Sequence, residues 1–571
     1  MTLRRSLLAA VVAVALVAAA CGDDDADEGA SGQGGNEVGT TTEAPDTEPR
    51  AGGRLVLGMY SEPRSLDPIQ ASGAGTGGGT EMMALFDTVM QWDPETNSHV
   101  PRTAESLTPN DDFTSWVLKL RPGISFRDGT PYDARAMELS IQRHKSASGT
   151  SRSKSYLDAI EKVTVLDDLT VRFDLNQSWP GFPYLLADAP GMLVSPTAIA
   201  ALGDPNAPDY KEKLEAFGLN PVGAGAGPFE IVSFRPGEAI TMRRHEGYWG
   251  GTPYLDEIRF VVVGGSAQTY ESLKSGDIDF AFIRSGDVTQ RAKEEGVPGI
   301  ERVTQTGEVL LMNMGVSVVC NGQQPAPLCT GRSDGERVKT TPPTASKAVR
   351  QAIAAAIDPQ VIDERAYNGR GLPGTELLQE SFAWYPGVPG PEYDPDEARR
   401  LVEQAKAEGW DGKVRLLCTN QPDRQASSLA IETMLESVGM EVEVETQLST
   451  QDQISRVVTQ KNFDLACWGL PLVNDDGATL ALQQNLLSAS PTNRVGYASA
   501  EMDEALGALK LAVTDEERVD AFRRVAQIYN EDLPLLALQA IPIYLAHREN
   551  VHGIVGGHDT TFYLDDAWVE Q

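Results

Sequence analysis

Twice in this chain a strand, a helix and a second strand succeed one another within a few residues, and no other feature restricts the fold as much. Ile258 to Val263 reads as strand, Ser266 to Ser275 as helix, and Ile278 to Ile283 as strand, with Gly276 marking the turn. Lys413 to Cys418, a helix carrying Ile431, Met434 and Leu435, and the strand Glu441 to Val444 repeat the pattern. Parallel strands need such a crossover, so each unit implies a sheet covered by helices. Single cores stop growing near roughly 250–300 residues. A chain of 571 residues with 41% hydrophobic content is therefore expected to form at least two α/β lobes.

Period-two alternation marks further strands. Trp116, Leu118 and Leu120 alternate with Val117 and Lys119, and Val171, Phe173 and Leu175 with Arg172 and Asp174; Asp167-Asp168 joins the latter to Val163-Thr164-Val165 as a hairpin. Arg54 to Met59 reads as a buried strand. Ser346 opens a helix whose apolar face holds Val349, Ile353 and Ile357. Asp394, Pro395 and Glu397 predict a capping box ahead of Ala398, Leu401, Val402 and Ala405, with Gly409 as the stop. Thr514 with Glu517 predicts a second capping box, and the apolar stretch Leu533 to Leu545 returns as strand.

The one long apolar run, Leu7 to Ala20, follows Arg4 and Arg5 and ends directly at Cys21. It is too short to span a bilayer and suits the apolar region of a secretory signal. Ala18-Ala19-Ala20-Cys21 resembles a bacterial lipoprotein box, which predicts a signal peptide over 1–20 and a lipid on Cys21; an ordinary signal with an incidental cysteine is the alternative. Either the Sec or the twin-arginine route fits Arg4-Arg5. From Gly22 to Arg50 acids, Gly, Thr and Pro leave almost nothing to bury, so 21–50 is expected to be a disordered acidic tether reaching on the order of 30 Å. Its 82 Asp and Glu against 48 Lys and Arg give the chain a net charge of -34, which argues against nucleic acid as a partner. In an oxidising compartment Cys320 and Cys329 are expected to close a loop, and Cys418 and Cys467 to bridge two strands. None has the CxxC spacing of a zinc site.

Several short strings fall together in an order that is similar to the family 5 extracellular solute-binding proteins, the dipeptide, oligopeptide and nickel receptors of ABC importers. They begin with Gly52-Gly53-Arg54-Leu55-Val56 and Ser61-Glu62-Pro63-Arg64-Ser65-Leu66-Asp67-Pro68. Leu85-Phe86-Asp87-Thr88-Val89, Pro101-Arg102-Thr103-Ala104-Glu105-Ser106 and the signature Trp116 to Pro131 follow. Pro221-Val222-Gly223, Gly227-Pro228-Phe229, Gly247-Tyr248-Trp249-Gly250, Ser275 to Asp279, Val349 to Ile353 and Tyr393-Asp394-Pro395 continue the resemblance to the end of the chain.

The resemblance implies an α/β, two-lobed fold of the periplasmic-binding-protein type II kind with an extra subdomain inserted in the first lobe. The first lobe is expected over 51–312 plus 541–571, with the insertion about 100–220, and the second over 313–540. The crossings are placed near Leu311-Met312-Asn313 and Gln539 to Pro542. It further implies an extracytoplasmic, monomeric substrate-binding lipoprotein that captures a small solute, a peptide first of all, between its lobes. Delivery is to an ABC permease at the outer face of the cell membrane, with no catalysis, cofactor or bound metal.

In peptide-binding relatives, a Trp-Gly-Trp stretch and then an acid that pairs with the ligand's amino terminus follow a Phe-Asp strand. Phe463-Asp464 and Trp468-Gly469 fit, but Leu470 and Val473 stand at the second Trp and acid positions, so that Asp475 or Asp476 takes the acid's role or the ligand has no amine there. The plain reading of Asn474 to Gly477 is a solvated turn. Tyr60 and Glu62 follow the first strand where a loop faces the cleft, and Trp384 and Tyr385 are candidates for stacking on solute. Gly73 to Gly79 lacks the Lys-Ser or Lys-Thr ending of a phosphate loop and reads as pliable backbone. Rival readings are a receptor for a metal complex or oligosaccharide, an exported hydrolase, and a surface scaffold. No G-x-S-x-G or H-E-x-x-H supports a hydrolase, and His547, His552 and His558 are unevenly spaced for a metal.

Overall fold

Two long strands, Gly299–Met312 and Leu535–His547, lie antiparallel and organise the chain. A computed structural model describes residues 48–71, 73–146, 153–320 and 327–570. The leader, Cys21 and nearly all of the acidic stretch lie outside the described residues.

Strands add to both flanks of this pair to give one sheet of 11 strands. On one side Phe280–Ile283 pairs with Leu535–His547, then Arg54–Gly58 runs parallel to both Phe280–Ile283 and Glu257–Val261, and Ala239–Arg244 and Phe229–Arg235 finish that edge. The first strand–helix–strand unit thus straddles Arg54–Gly58, with its helix at Ser266–Ser275. On the other side Leu465–Trp468, Lys413–Thr419 and Glu441–Leu448 extend the sheet, the last two parallel as their crossover helix Pro422–Ser437 demands.

Side chains alternate strictly between two cores in this second half. Leu310, Met312, Leu416, Cys418, Leu465 and Cys467 join one core, whereas Val309, Leu311, Leu417 and Ala466 join the other. A sheet buried on both faces reads as a continuous apolar run, as these segments do. Cys418 and Cys467 share one face of neighbouring strands, and they are bonded with Cα atoms 5.0 Å apart. Cys320 and Cys329 are bonded across 5.4 Å.

A separate antiparallel sheet, ordered Ala104–Pro109, Ser115–Leu120, Thr170–Leu175, Ile160–Val165, forms the insertion. Trp116, Leu118, Leu120, Val171, Phe173 and Leu175 face its core, which draws on residues from Val89 to Leu193. The expected insertion of about 100–220 contains this sheet, and its last part packs elsewhere. Ala198, Ile199 and Phe217, on the helices Pro196–Leu202 and Tyr210–Leu219, pack on the first-lobe core with Leu55, Phe229 and Phe280.

Helix ends follow local chemistry. Thr514 and Glu517 form the reciprocal capping box of Asp515–Asp532. Asp394 caps Pro395–Ala407 by accepting from Asp396 and Glu397 N–H. Glu397 does not complete a box; its carboxylate takes Arg400 at 2.6 Å. No described helix is long and apolar enough to cross a membrane.

Candidate functional site

The crossing strands break register between Thr304 and Glu308, opposite Gln539 to Ile541. That is earlier than Leu311 to Asn313 on the first crossing. Thr306 adopts φ 48° there, so the bulge turns backbone groups away from the ladder, and buried backbone groups need partners. The segment after Leu465–Trp468 supplies them. Gln305 N–H donates to Leu472 O at 2.8 Å, Leu472 N–H returns to Gln305 O at 3.2 Å, and Leu470 N–H donates to Thr306 O at 3.1 Å. The Gln305 amide spans to Ser381 Oγ at 2.8 Å and accepts from Gln379 N–H at 2.9 Å. At Gly307 a Cβ would lie 2.5 Å from Ile541 Cγ1, so only glycine lets the two crossings approach so closely.

Trp468 and Gly469 sit at the start of this fastened segment. Trp468 is half-buried under the Arg494 guanidinium, 5.5 Å from the ring centre. Gly469 backs onto the Gly307 carbonyl. Further along, Asp475 is 1% exposed, so Asn474 to Gly477 is not the solvated turn of the plain reading. Asp475 Oδ1 accepts from Gly477 N–H at 2.7 Å and Oδ2 accepts from Asp559 N–H, in the other lobe, at 3.2 Å. Asp476 lies 3.6 Å from His99 Nδ1 and 3.3 Å from Arg518. Both acids are thus engaged by protein groups, and together they tie the second lobe to the first.

The electrostatics of this junction follow from burial and charge. Burial raises the Asp475 carboxyl. At Asp476 burial is outweighed by a hydrogen bond from His99 and by the charge of Arg518, so its carboxyl is lowered. His558 is buried 3.8 Å from Asp188. Burial opposes its charge, yet Asp188, Asp475 and Asp559 hold it above the ordinary value. Tyr184 lies edge-on between His99 and His558, at 5.7 and 5.9 Å.

At the first-lobe edge Tyr60 is 38% exposed, with the Arg284 guanidinium 5.2 Å over its ring and Nη1 donating to its hydroxyl at 3.3 Å. Glu62 accepts from Gly237 N–H at 2.6 Å. Beside it is a cavity of about 250 Å³ whose lining includes Met59, Glu62, Glu81, Glu238, Ile240 and Phe260. Glu81 is 1% exposed with Oε2 unpaired, and burial pushes its carboxyl up to about 8. Sequence reading missed Glu81 and Arg284. The signal for Glu81 was its place as the lone charge in Gly79–Phe86, a helix buried along its whole length.

Other expectations need correction. Trp384 is 4% exposed, stacked on Phe522 and covered by Arg518 at 4.6 Å, with Nε1 donating to Asp515 at 2.9 Å. The ring is buried among protein groups, which places it in the core and not on a solute platform. Tyr385 is half-buried beside it and hydrogen-bonds backbone to backbone with Phe382. Gly73 to Gly79 is close-packed and not pliable: a Cβ on Gly73 would lie 1.5 Å from Asp188 Oδ1. His547 bonds to Arg548 O, His552 stacks on Trp568 and His558 faces Asp188, so the three do not converge. Among the described residues no group of three or more His, Cys, Asp or Glu is arranged to hold a metal ion.

Comparison with known proteins agrees with this geometry. The family model described as bacterial extracellular solute-binding proteins, family 5 middle, matches residues 98–487. The glutathione-binding protein GsiB of Shigella flexneri is 24% identical over 473 residues, covering 81% of this chain and 85% of its own. The oligopeptide-binding protein AppA of Bacillus subtilis, solved with a nonapeptide, superposes with a TM-score of 0.72 at 19% identity, covering 92% of this chain and 100% of that one. NikZ of Campylobacter jejuni, solved with Ni(L-His), gives 0.67 at 18% identity, with coverage of 89% and 97%. The fold is the two-lobed type of those structures.

Proposed function

Because this chain belongs to the family 5 bacterial extracellular solute-binding proteins, we propose that it is the receptor of an ABC importer that closes its lobes around a peptide and passes it to the permease unaltered. A lipid on Cys21 holds it at the outer face of the membrane, with the acidic stretch as leash. Support for a peptide comes from GsiB, named for glutathione, and from AppA, solved with a nonapeptide.

The observation that carries the reading is the fastening of Leu470 and Leu472 to the bulge at Gln305–Thr306, at the point where both crossings change register. A loop tied to the hinge moves with it, and its far end, Asp475, reaches the other lobe at Asp559 N–H. Solute enclosed at this junction favours the closed population by its differential affinity for that state. Closure removes water, so few polar groups suffice to hold a charged solute. Delivery requires no bond to break.

Native mass spectrometry of protein purified without refolding tests for a retained solute, and small-angle scattering with a panel of di- to nonapeptides tests for closure. A retained peptide, or a smaller radius of gyration with some peptides and not others, is expected. Scattering unchanged across the panel, together with turnover of any member, refutes the receptor reading. Fatty-acid labelling in cells that is lost in Cys21→Ala checks the anchor; equal labelling in both refutes it.

A further inference from the structure

We propose that the cavity at the carboxyl ends of Arg54–Gly58 and Glu257–Val261 binds an alkylammonium group, with the Glu81 carboxylate taking the charge and Met59, Ile240 and Phe260 the hydrocarbon. This deepens the receptor reading and rests on it for the source of the ammonium: the lysine-type arm of a peptide, or else a free amine.

The cavity of about 250 Å³ has room for a four-carbon chain and its ammonium. Three acidic residues line it, Glu62, Glu81 and Glu238, and no lysine, arginine or histidine does. Two of these acids are engaged: Glu62 accepts from Gly237 N–H at 2.6 Å, and Glu238 stands 3.6 Å from Arg235. Glu81 differs. It is enclosed to 1% exposure and its Oε2 meets no donor. A buried carboxyl left without a partner costs free energy, whether it stays neutral or ionises, that a ligand recovers. An ammonium supplies that donor with the opposite charge, and a hydrocarbon stem suits the apolar wall. A carboxylate ligand would instead meet three acids and is rejected.

Proton linkage gives the proposal a signature. Burial holds the Glu81 carboxyl near pH 8 in the empty cavity, so at pH 7 it is protonated, and an arriving ammonium releases that proton to solvent. Affinity should rise up to about tenfold per pH unit from pH 6 to 8, level off, and fall as the amine itself deprotonates near about 10.4.

Calorimetry in two buffers of different ionisation enthalpy provides the test, with Ala-Lys-Ala, the isosteric Ala-norleucine-Ala and n-butylammonium as probes. For the lysine peptide, affinity about 10- to 100-fold above its norleucine twin is expected, with close to one proton released at pH 7. Both effects should vanish in Glu81→Gln. Val262→Trp, at the cavity wall where Val262 is 45% exposed, leaves Glu81 in place and should weaken every probe that enters the cavity, the lysine peptide and n-butylammonium most; thermal melts check that both variants fold. Equal binding of the two peptides overturns the alkylammonium site and leaves the receptor reading standing. Binding of n-butylammonium with proton release, but of neither peptide, supports the site and assigns it a free amine, against a peptide receptor. Binding of no probe overturns the site.

Discussion

Replacing Asp87 by Asn should destabilise the first lobe by about 3–5 kcal/mol, because the strings that mark the family converge on this one carboxylate. Asp87 Oδ2 accepts from Tyr248 OH at 2.7 Å and from Trp249 Nε1 at 2.9 Å, while Oδ1 accepts from Thr88 N–H at 2.8 Å and from Arg102 Nε. Arg102 continues to Asp565 at 3.2 Å and stands 4.4 Å over the Tyr563 ring. Burial opposes its charge, yet Asp87, Tyr248 and Asp565 hold the guanidinium well above its ordinary value. An amide at position 87 keeps the shape but turns one acceptor into a donor. The Tyr248 hydroxyl can reverse its bond, whereas Trp249 Nε1 and Arg102 cannot. Each hydrogen bond to a charged group is worth about 1.5–3 kcal/mol, and losses within one network do not add. The cost of stranding one partner of a buried pair therefore sets the scale. Urea unfolding is the assay, read at the first transition because separate cores need not melt together. A cycle with Arg102→Met should show a coupling of about 2 kcal/mol or more. A loss below about 1 kcal/mol, or a coupling below about 0.5, refutes the reasoning.

His558→Gln should cost more stability at pH 5.5 than at pH 8.5. The native state holds this imidazole above its unfolded value, so its contribution is complete below about 6.5 and fades as pH rises through the folded value. The raised Asp475 carboxyl runs the same way; a loss that is flat or grows with pH contradicts the assignment. Replacing Cys418 and Cys467 by Ser should cost about 4 kcal/mol against about 2.5 for Cys320 and Cys329, since their separations are 49 and 9 residues; urea midpoints in the reverse order refute this. Trp384→Ala should lose about 3–5 kcal/mol while solute affinity, measured on folded protein in the cold, stays within about twofold. Lost binding at unchanged stability would restore the stacking role.

Legibility followed the side on which water lies. Trp116, Leu118 and Leu120 were readable because their sheet buries one face, so burial alternates with exposure. The register break went unread by the same logic. Val309 to Met312 are apolar and drew the crossing toward Asn313, but the strand bends at Thr304 to Glu308, where the residues are polar. Thr304, Gln305, Thr306 and Glu308 are all buried, and they are polar because a bulge inside a lobe junction leaves backbone groups that need partners. No periodicity records that need. The surroundings of Trp384 and Asp475 went unread for a related reason: residue type and turn chemistry are local, whereas the partners Phe522, Asp515 and Asp559 come from distant parts of the chain.

The departures from the family strings carry a different kind of information. Leu470 stands at the second Trp position and packs into the second-lobe core with Leu417 and Phe463, while its N–H holds the hinge. Val473 follows it into burial, and the acid, carried onward to Asp475, meets Asp559 N–H. An amine at Asp475 would compete with Asp559 N–H for the same carboxylate oxygen. The Glu81 carboxyl has no such conflict: its Oε2 is unpaired within the first lobe, so a cation bound there does not compete for the junction. On the alkylammonium proposal, the acids that bridge the lobes keep their protein partners while a first-lobe carboxylate takes the charge.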